Sequence, residues 1–573
     1  MNKKWIPKLS PDPDDVQRLA ASIGIPLPLS HLLCLRGINS GEKAKAFFRP
    51  SLDMLHDPFL MKDMDKAVDR LSEALQNGEK ILVYGDYDVD GTTAVTLMFS
   101  FLKSLGATCD YYIPDRYGEG YGFSMAGVEF AHANQFSLII TLDCGIKDAE
   151  KVSHAKSLGI DVVICDHHNP GTLPDAVAVL DTKRPDCDYP YEGLSGCGVG
   201  FKLLQAFCIR HDMDQKILLP YLDLVTIAIG ADIVPITGEN RVLASFGMDL
   251  LQTNRRPGIQ AMLDQAGFKK DKLTITDVVF IIAPRINAAG RIFSGKQAVE
   301  LLLTESIEEA AKLSPALEEN NNTRRGLDKE ITEEAIQTID NEEFYQSSFT
   351  SVVRGDTWHK GVVGIVASRL VETYYKPAVV LVETDEKLAG SARSIPGVDL
   401  FEALGECSDL LVQFGGHTMA AGLSLKSENF EAFRQKFDKA VETMLHGVRP
   451  TPYVEYDLEL KPEDITSRFY RILVQFAPFG PENMRPSFLM KNMINAGNTR
   501  AVGETGAHLK LHLKSADPNS SISFDGISFF QGHWSDALLK QNAAIDILFV
   551  LEENEWNGKI TLQLNVKDIR LAE

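Results

Sequence analysis

Ile81-Leu-Val-Tyr-Gly-Asp86-Tyr-Asp88-Val-Asp90-Gly91 places a short apolar run directly before three alternating aspartates. A bounded run of this length, followed by a helical stretch from about Thr92 to Leu105, reads as a buried strand feeding a helix. The arrangement recurs twice. Leu138-Ile-Ile-Thr-Leu142 leads into Asp143, within Thr141-Leu-Asp143-Cys-Gly145, and Val162-Val-Ile-Cys165 leads into Asp166-His167-His168. Cys109 to Ile113 and Ala176 to Leu180 add two strand candidates, and helices are expected near Ser124 to Asn134 and Asp148 to Leu158. Strands separated by helices of this length imply βαβ units and a parallel sheet.

In an open parallel sheet the ligand crevice lies beyond the carboxyl ends of the strands. The three acidic groups are therefore expected on one rim, although they are far apart in sequence. Asp232, in Gly230-Ala-Asp-Ile-Val-Pro235, ends a further helical run and offers another carboxylate. Clustered carboxylates need a cation, because like charges at short range cannot all stay ionised. Oxygen-rich ligands with one or two imidazoles suit Mn²⁺ or Mg²⁺ better than a thiolate-type zinc site. The Asp-x-Asp-x-Asp-Gly opening also matches a calcium loop, but that loop needs a glutamate at its twelfth position, where this chain has Leu97, and a helix in front.

The 573 residues are enough for three or four domains. A hydrophobic fraction of 44% and a charged fraction of 24% are those of a globular protein. No apolar run reaches about 18 residues, so no membrane span is expected. Lysines at the N-terminus are followed at once by prolines and aspartates, so no secretory signal is read and a cytoplasmic location is expected. Eight scattered cysteines without a Cys-x-x-Cys pair fit reduced thiols. The net charge of −21 argues against a nucleic-acid partner at first sight. Much of it is local: residues 305–344 carry twelve acidic against four basic side chains, and further acids lie at the candidate metal site.

The expected organisation is an N-terminal helical segment (1–70), a parallel-sheet α/β domain (71–304) and one or two long charged connecting helices (305–346), broken around Pro315 and Gly326. A smaller α/β domain (347–448) follows, then a C-terminal β-barrel of OB type (449–573). The barrel is read from alternating runs such as His508-Leu-Lys-Leu-His-Leu513.

Asp86-Tyr-Asp-Val-Asp-Gly91, Thr141-Leu-Asp-Cys-Gly145 and Asp166-His-His168 resemble successive motifs of the DHH phosphoesterase superfamily. Arg285-Ile-Asn-Ala-Ala-Gly-Arg291 and Phe414-Gly-Gly-His417 resemble its RecJ branch, with a DHHA1 second domain. The resemblance covers roughly residues 70–573. It implies that Asp86, Asp88, Asp90, Asp143, His167 and Asp232 are metal ligands for two divalent ions, Mn²⁺ or Mg²⁺, with Asp143 bridging. It implies that Asp166 and His168 are catalytic, with His168 at the scissile phosphate. Members of that branch can carry a further domain after the barrel; the present sequence runs to Ile569-Arg-Leu-Ala-Glu573.

Arg116, on the Gly-rich stretch Asp115-Arg-Tyr-Gly-Glu-Gly-Tyr-Gly122, is a candidate phosphate ligand. So are Arg285, Asn287 and Arg291, which are read as flanking or lining a turn, and Ser391 and Arg393. Gly415, Gly416 and His417 offer a backbone cradle. With the resemblance, Arg291, Ser391 and Arg393 form a pocket for a terminal 5′-phosphate. The implied activity is 5′→3′ hydrolysis of single-stranded DNA to mononucleotides, in repair and recombination. The implied partners are a single strand with a 5′ end, a RecQ-type helicase and a single-strand-binding protein. The alternative is a phosphodiesterase for short oligoribonucleotides or cyclic dinucleotides, which needs no terminal barrel.

Overall fold

The computed structural model describes residues 3–292, 294–384, 387–518, 520–540, 543–556 and 559–572. Two compact units are present. The first comprises Asp57–Asp232 and Asp249–Pro452; the second comprises Lys3–His56, Ile233–Met248 and the chain from Tyr453 onward.

The first unit is built on a five-stranded sheet, all parallel: β1 (Ile81–Gly85), β2 (Cys109–Tyr112), β3 (Leu138–Leu142), β4 (Asp161–Cys165) and β5 (Ala178–Leu180), in the order β2-β1-β3-β4-β5. β1 and β3 are buried along their whole length, as strands covered on both faces must be. Helices α1 (Val89–Ser104), α2 (Met125–Ala133) and α3 (Ala149–Ser157) follow β1, β2 and β3, and α4 (Gly196–Arg210) and α5 (Leu222–Ala231) follow β5. The order reverses at β1, so the crevice above the ends of β1, β3 and β4 is the expected ligand position.

Two local expectations give way. The Arg285–Arg291 segment is helical, α6 (Ala283–Ile292), not a turn. Ala288 and Ala289 favour helix, and Gly290 sits where a Cβ would meet the Tyr87 carbonyl oxygen at 2.5 Å. The connecting segment is one unbroken helix, α7 (Ile307–Asn341), with Pro315 inside it. Proline removes one backbone hydrogen bond, and burial of Ala310, Leu317, Ile331 and Ala335 outweighs that loss.

Beyond α7 lies a second sheet: β6 (Ser351–Gly355), β7 (Ala378–Thr384), β8 (Lys387–Arg393), β9 (Leu411–Gly416) and β10 (Ala420–Lys426), in the order β9-β10-β8-β7-β6. It is flanked by α8 (Val363–Tyr374) and α9 (Phe430–Met444). Only β6–β7 is parallel.

The second unit is a curled sheet whose main strands are β11 (Phe488–Asn495), β12 (His508–Ser515), β13 (Ser523–Ser528), β14 (Ile545–Trp556) and β15 (Lys559–Leu571). An extra β11–β12 pairing closes it. Helices Pro13–Ile23, Leu27–Cys34 and Gly41–Phe48 bury Leu19, Leu29, Leu32, Leu33 and Phe47 in the same core as Phe476, Phe488 and Phe549. Residues Lys3–His56 are thus part of the barrel unit, a long-range association that no local pattern discloses, while Asp57 onward, as far as Asp232, belongs to the first unit.

Gly390, in β8, carries a sharp constraint: an added Cβ would lie 1.9 Å from the Val380 carbonyl oxygen. Gly390→Ala is expected to lower the thermal unfolding midpoint, through overpacking of about 1–3 kcal/mol. An unchanged midpoint in calorimetry would contradict this packing.

Candidate metal centre and phosphate pocket

The tight turn after β1 positions the first three acids. Asp88 caps α1, its carboxylate accepting from the Gly91 amide at 3.1 Å. Gly91 must lack a side chain, since a Cβ there would lie 2.3 Å from the Asp86 carbonyl oxygen. Asp90, in the first turn of α1, accepts hydrogen bonds from the Gly196 amide at 2.6 Å and the Cys197 amide at 2.8 Å, at the start of α4. Asp143 follows β3 with φ at 59°, a left-handed conformation uncommon for a non-glycine residue. Gly196 permits the close approach of α4: its Cβ would meet the Asp143 Cβ at 2.5 Å.

These acids surround one imidazole. His167 Nε2 lies 3.1 Å from Asp143 Oδ1, 3.5 Å from Asp232 Oδ2 and 3.7 Å from Asp90 Oδ2. Potential ligand atoms fall into overlapping sets, each within 4.8 Å: Asp86, Asp88 and Asp143; Asp90, His167 and Asp232; Asp143, His167 and His168. All six expected ligands are brought together, and Asp143 is common to two of the sets.

The electrostatics separate the carboxylates into two kinds. Burial pushes Asp86 and Asp143 well above the ordinary carboxylate range, with neighbouring aspartates adding to the shift. Burial and neighbouring aspartates likewise lift Asp90 to about 7 and Asp232 to about 8. Burial lowers His167 to about 3, so its ring is neutral and keeps a lone pair. Asp143 Oδ1 and His167 Nε2 are buried without a hydrogen-bond partner. Asp86 makes no hydrogen bond of normal geometry, although the Tyr87 and Gly122 amides temper its charge. Buried bare acceptors facing one another are costly unless something electropositive joins them. This donor set of oxygens with a neutral imidazole fits Mn²⁺ or Mg²⁺.

Asp166 differs. Burial alone would raise it, but the His168 hydrogen bond and charge, with the Ile146 and His168 amides, hold it at about 2. It accepts from the amides of His167 (2.7 Å), His168 (3.1 Å) and Ile146 (3.0 Å), and lies 2.7 Å from His168 Nδ1. Asp166 is therefore a positioning residue that orients His168 and is absent from the ligand sets. His168 is raised despite its burial, because Asp166 stabilises its charged form. Its Nε2 lies 2.9 Å from the Tyr121 hydroxyl.

The candidate phosphate ligands divide as well. Arg116 lies over the Tyr87 ring, 5.0 Å from its centroid, near enough to Asp86 to oppose that group's upward shift. Arg291 donates to the Gly361 carbonyl at 3.1 Å; burial and the charges of Arg116 and Arg324 bring it down to about 10. Ser391 and Arg393 lie beside Gly364, where an added Cβ would be 3.3 Å from Ser391 Oγ and 3.0 Å from Arg393 Nη2. Gly361, just before α8, thus meets Arg291, and Gly364, in the first turn of α8, meets the Ser391–Arg393 pair. Burial lowers Arg393, and among the described residues no acid pairs with it.

Arg285 is a correction. Its buried guanidinium donates to Glu318 Oε2 at 2.5 Å and to the Ile281 carbonyl at 2.6 Å, which ties α6 to α7 and removes it from the free phosphate donors. Asn287 is half-buried on α6. Gly415 and Gly416 lie on the exposed edge strand β9, and the His417 amide is consumed by the Ala420 carbonyl at 2.9 Å, so no cradle of three free amides forms there. Sequence reasoning missed Ser195-Gly196-Cys197, Tyr121, Gly361, Gly364 and Arg324. The Ser-Gly-Cys-Gly run opening an apolar helix was a readable cap signal for the first. The others are visible only in three dimensions.

Residues 80–229 match the DHH family N-terminal domain, residues 346–443 the DHHA1 domain and residues 456–568 the RecJ OB domain. The chain is 37% identical over 566 residues to the single-stranded-DNA-specific exonuclease RecJ of Bacillus subtilis, covering 98% of this chain and 70% of that one. The chain belongs to the RecJ family. The RecJ of Escherichia coli is 34% identical over 566 residues, with 95% of this chain and 96% of that one covered. Among solved structures, RecJ from Thermus thermophilus in complex with Mn²⁺ superposes with a TM-score of 0.83 at 28% identity, over 100% of this chain and 80% of that one. The Mg²⁺ complex of RecJ from that organism gives 0.79 at 26% identity, covering 100% and 79%. No helix among the described residues of this RecJ-family chain is long and apolar enough to cross a membrane.

The raised acids have a measurable consequence. Between about pH 4 and pH 8 the metal-free folded protein holds protons that the unfolded chain has lost, so its stability falls as pH rises through that window. Mn²⁺ binding is expected to release protons near pH 6.5 and few at pH 9, read by calorimetry in buffers of different ionisation enthalpy. Proton-neutral binding at pH 6.5 would contradict the assignment.

Proposed function

We propose that this chain is a divalent-cation-dependent exonuclease that degrades single-stranded DNA from the 5′ end to mononucleotides, in repair and recombination. The observation that carries the reading is the convergence of Asp86, Asp88, Asp90, Asp143, His167 and Asp232 beyond the ends of β1, β3, β4 and α5, with buried lone pairs facing one another. Two Mn²⁺ or Mg²⁺ ions held by these residues would supply Lewis-acid stabilisation of an in-line displacement at phosphorus. The protein's own groups do the rest. Asp166 fixes His168 and favours its charged form, so that it contacts a non-bridging oxygen of the scissile phosphate. Arg291, Ser391 and Arg393 hold the terminal 5′-phosphate, and Arg116 holds the strand near the acids.

The OB-type barrel favours long strands over dinucleotides, because a groove for several nucleotides has no use on a two-nucleotide substrate. In this reading 71–304 is the catalytic domain, 305–346 the connector, 347–448 the end-recognition domain and 449–573 the strand-binding domain, with 1–70 an N-terminal helical segment. The protein acts in the cytoplasm, with a RecQ-type helicase supplying unwound strand and a single-strand-binding protein as partner.

Strands labelled at either end, incubated with Mn²⁺, Mg²⁺ or chelator, test the reading. Labelled mononucleotide is expected first from the 5′ label, with none in chelator; first release from the 3′ label would overturn the polarity. In the same assay Arg393→Ala is expected to weaken preference for a 5′-phosphate over a 5′-hydroxyl by on the order of ten- to a hundredfold, as for a charged hydrogen bond of roughly 1.5–3 kcal/mol. Equal loss on both ends would make Arg393 a general backbone contact.

A further inference from the structure

The loop between β2 and α2 places one further side chain against the groups that meet the scissile phosphate. Tyr121 stands between Gly120 and Gly122, whose φ values of 89° and 87° are left-handed. Both ends of this stretch are tied down. The Glu119 carboxylate accepts from the Asp115 amide at 2.8 Å, the Tyr112 hydroxyl at 3.1 Å and the Ser124 hydroxyl at 2.5 Å. Past the tyrosine, the Gly122 carbonyl accepts from the Tyr84 hydroxyl at 3.0 Å, and the Phe123 amide donates to Asp148 at 3.1 Å. The Tyr121 ring meets Tyr87 and His168 edge-on, at centroid distances of 6.3 and 6.0 Å. Tyr121 is therefore held in place, although 58% of its surface is open to solvent.

The hydrogen bonds of His168 leave one donor over. Its Nδ1 lies 2.7 Å from Asp166 Oδ1 and its Nε2 lies 2.9 Å from the Tyr121 hydroxyl, so both ring nitrogens are engaged before any substrate arrives. In the charged imidazole, the form that Asp166 favours, both nitrogens donate, and the phenol oxygen accepts the second of these bonds. The phenol's own O–H then has no acceptor among the described residues. Burial, with Asp143, Asp86, Asp88 and Asp166 adding to it, pushes this hydroxyl far above the ordinary phenol range, so it keeps its proton. A spare O–H joined to an imidazolium is complementary to an anionic oxygen.

We propose that Tyr121 is a catalytic residue, whose hydroxyl donates to the same non-bridging oxygen of the scissile phosphate that His168 contacts. The inference rests on the exonuclease reading of the site and adds a residue to it. A phosphate oxygen that reaches Nε2 must arrive beside the phenol oxygen, 2.9 Å from that nitrogen, so the two donors share one target. Charge growing on that oxygen during displacement then meets two positioned donors, and neither has to be recruited from water. A plug that the strand pushes aside fits less well, because the hydrogen bonds of Glu119 and Gly122 pin the loop on both sides of the tyrosine.

Steady-state hydrolysis of a 5′-phosphorylated oligothymidylate in Mn²⁺ tests it, with the full chain and its Tyr121→Phe and Tyr121→Leu variants. Phenylalanine keeps the ring and its edge contacts and removes only the oxygen, so the unfolding midpoint is expected to stay unchanged. For Tyr121→Phe, kcat should fall on the order of ten- to a hundredfold, the range for losing one hydrogen bond to a charged group. KM should stay within about threefold, because the bond strengthens in the transition state. Strands with a phosphorothioate at the first linkage, as separated diastereomers, give a second reading. Sulfur accepts hydrogen bonds poorly, so with one diastereomer Tyr121→Phe should cost far less than on the oxygen substrate. A Phe variant as active as the parent, with loss only in Tyr121→Leu, would make the ring a stacking surface. A faster Phe variant would make the hydroxyl a plug, and a loss confined to KM would make it a general strand contact. Each of these overturns the proposal, as does an equal loss on oxygen and on both sulfur substrates. A parent chain that hydrolyses no strand in Mn²⁺ overturns the exonuclease reading and the proposal with it.

Discussion

Crowding of like charge governs this molecule. Asp86, Asp90, Asp143 and Asp166 are each at most 2% exposed, and Asp88 and Asp232 complete a ring around them. Such a set cannot all be ionised in a protein interior without opposite charge. The fold answers each acid differently, and the differences assign the roles. Asp166 receives three backbone amides and an imidazole, so it is ionised and satisfied. Asp90 is steadied by two amides at the head of α4. Asp143 faces the neutral ring of His167 with a bare oxygen, which is the environment that a cation completes.

Backbone geometry is arranged around that need. The parallel sheet delivers acids from separate strands to one rim, and two glycines let chain segments approach more closely than any side chain would permit. Asp143 itself sits in left-handed backbone, a conformation that costs of order 1–3 kcal/mol and persists where the surroundings hold it. Around Gly361 and Gly364, Arg291 and Arg393 add positive charge that has no ion-pair partner among the described residues, in a chain that is acidic overall.

The legible part of the site was the part encoded locally. Each metal-ligand candidate but Asp232 follows a buried apolar strand, and a parallel sheet sends such residues to one edge, so their meeting could be read from Ile81–Tyr84, Leu138–Leu142 and Val162–Cys165. The less legible part depended on partners distant in sequence. Nothing near Arg285 discloses Glu318, 33 residues away, and so a structural ion pair looked like a phosphate ligand. The Arg285–Arg291 stretch ends in Ala-Ala-Gly, which can close a turn or continue a helix, and contact with the Tyr87 carbonyl decides for helix. Likewise the N-terminal helices gave no sign that their leucines share a core with Phe488 and Phe549.

On these ligand sets Asp143 would join two cation positions, one with Asp86 and Asp88 and one with Asp90, His167 and Asp232. Anomalous diffraction at the manganese edge from crystals equilibrated with Mn²⁺ tests it most directly. Two peaks are expected, both in contact with the Asp143 carboxylate. A single peak, or two that leave Asp143 untouched, would contradict it.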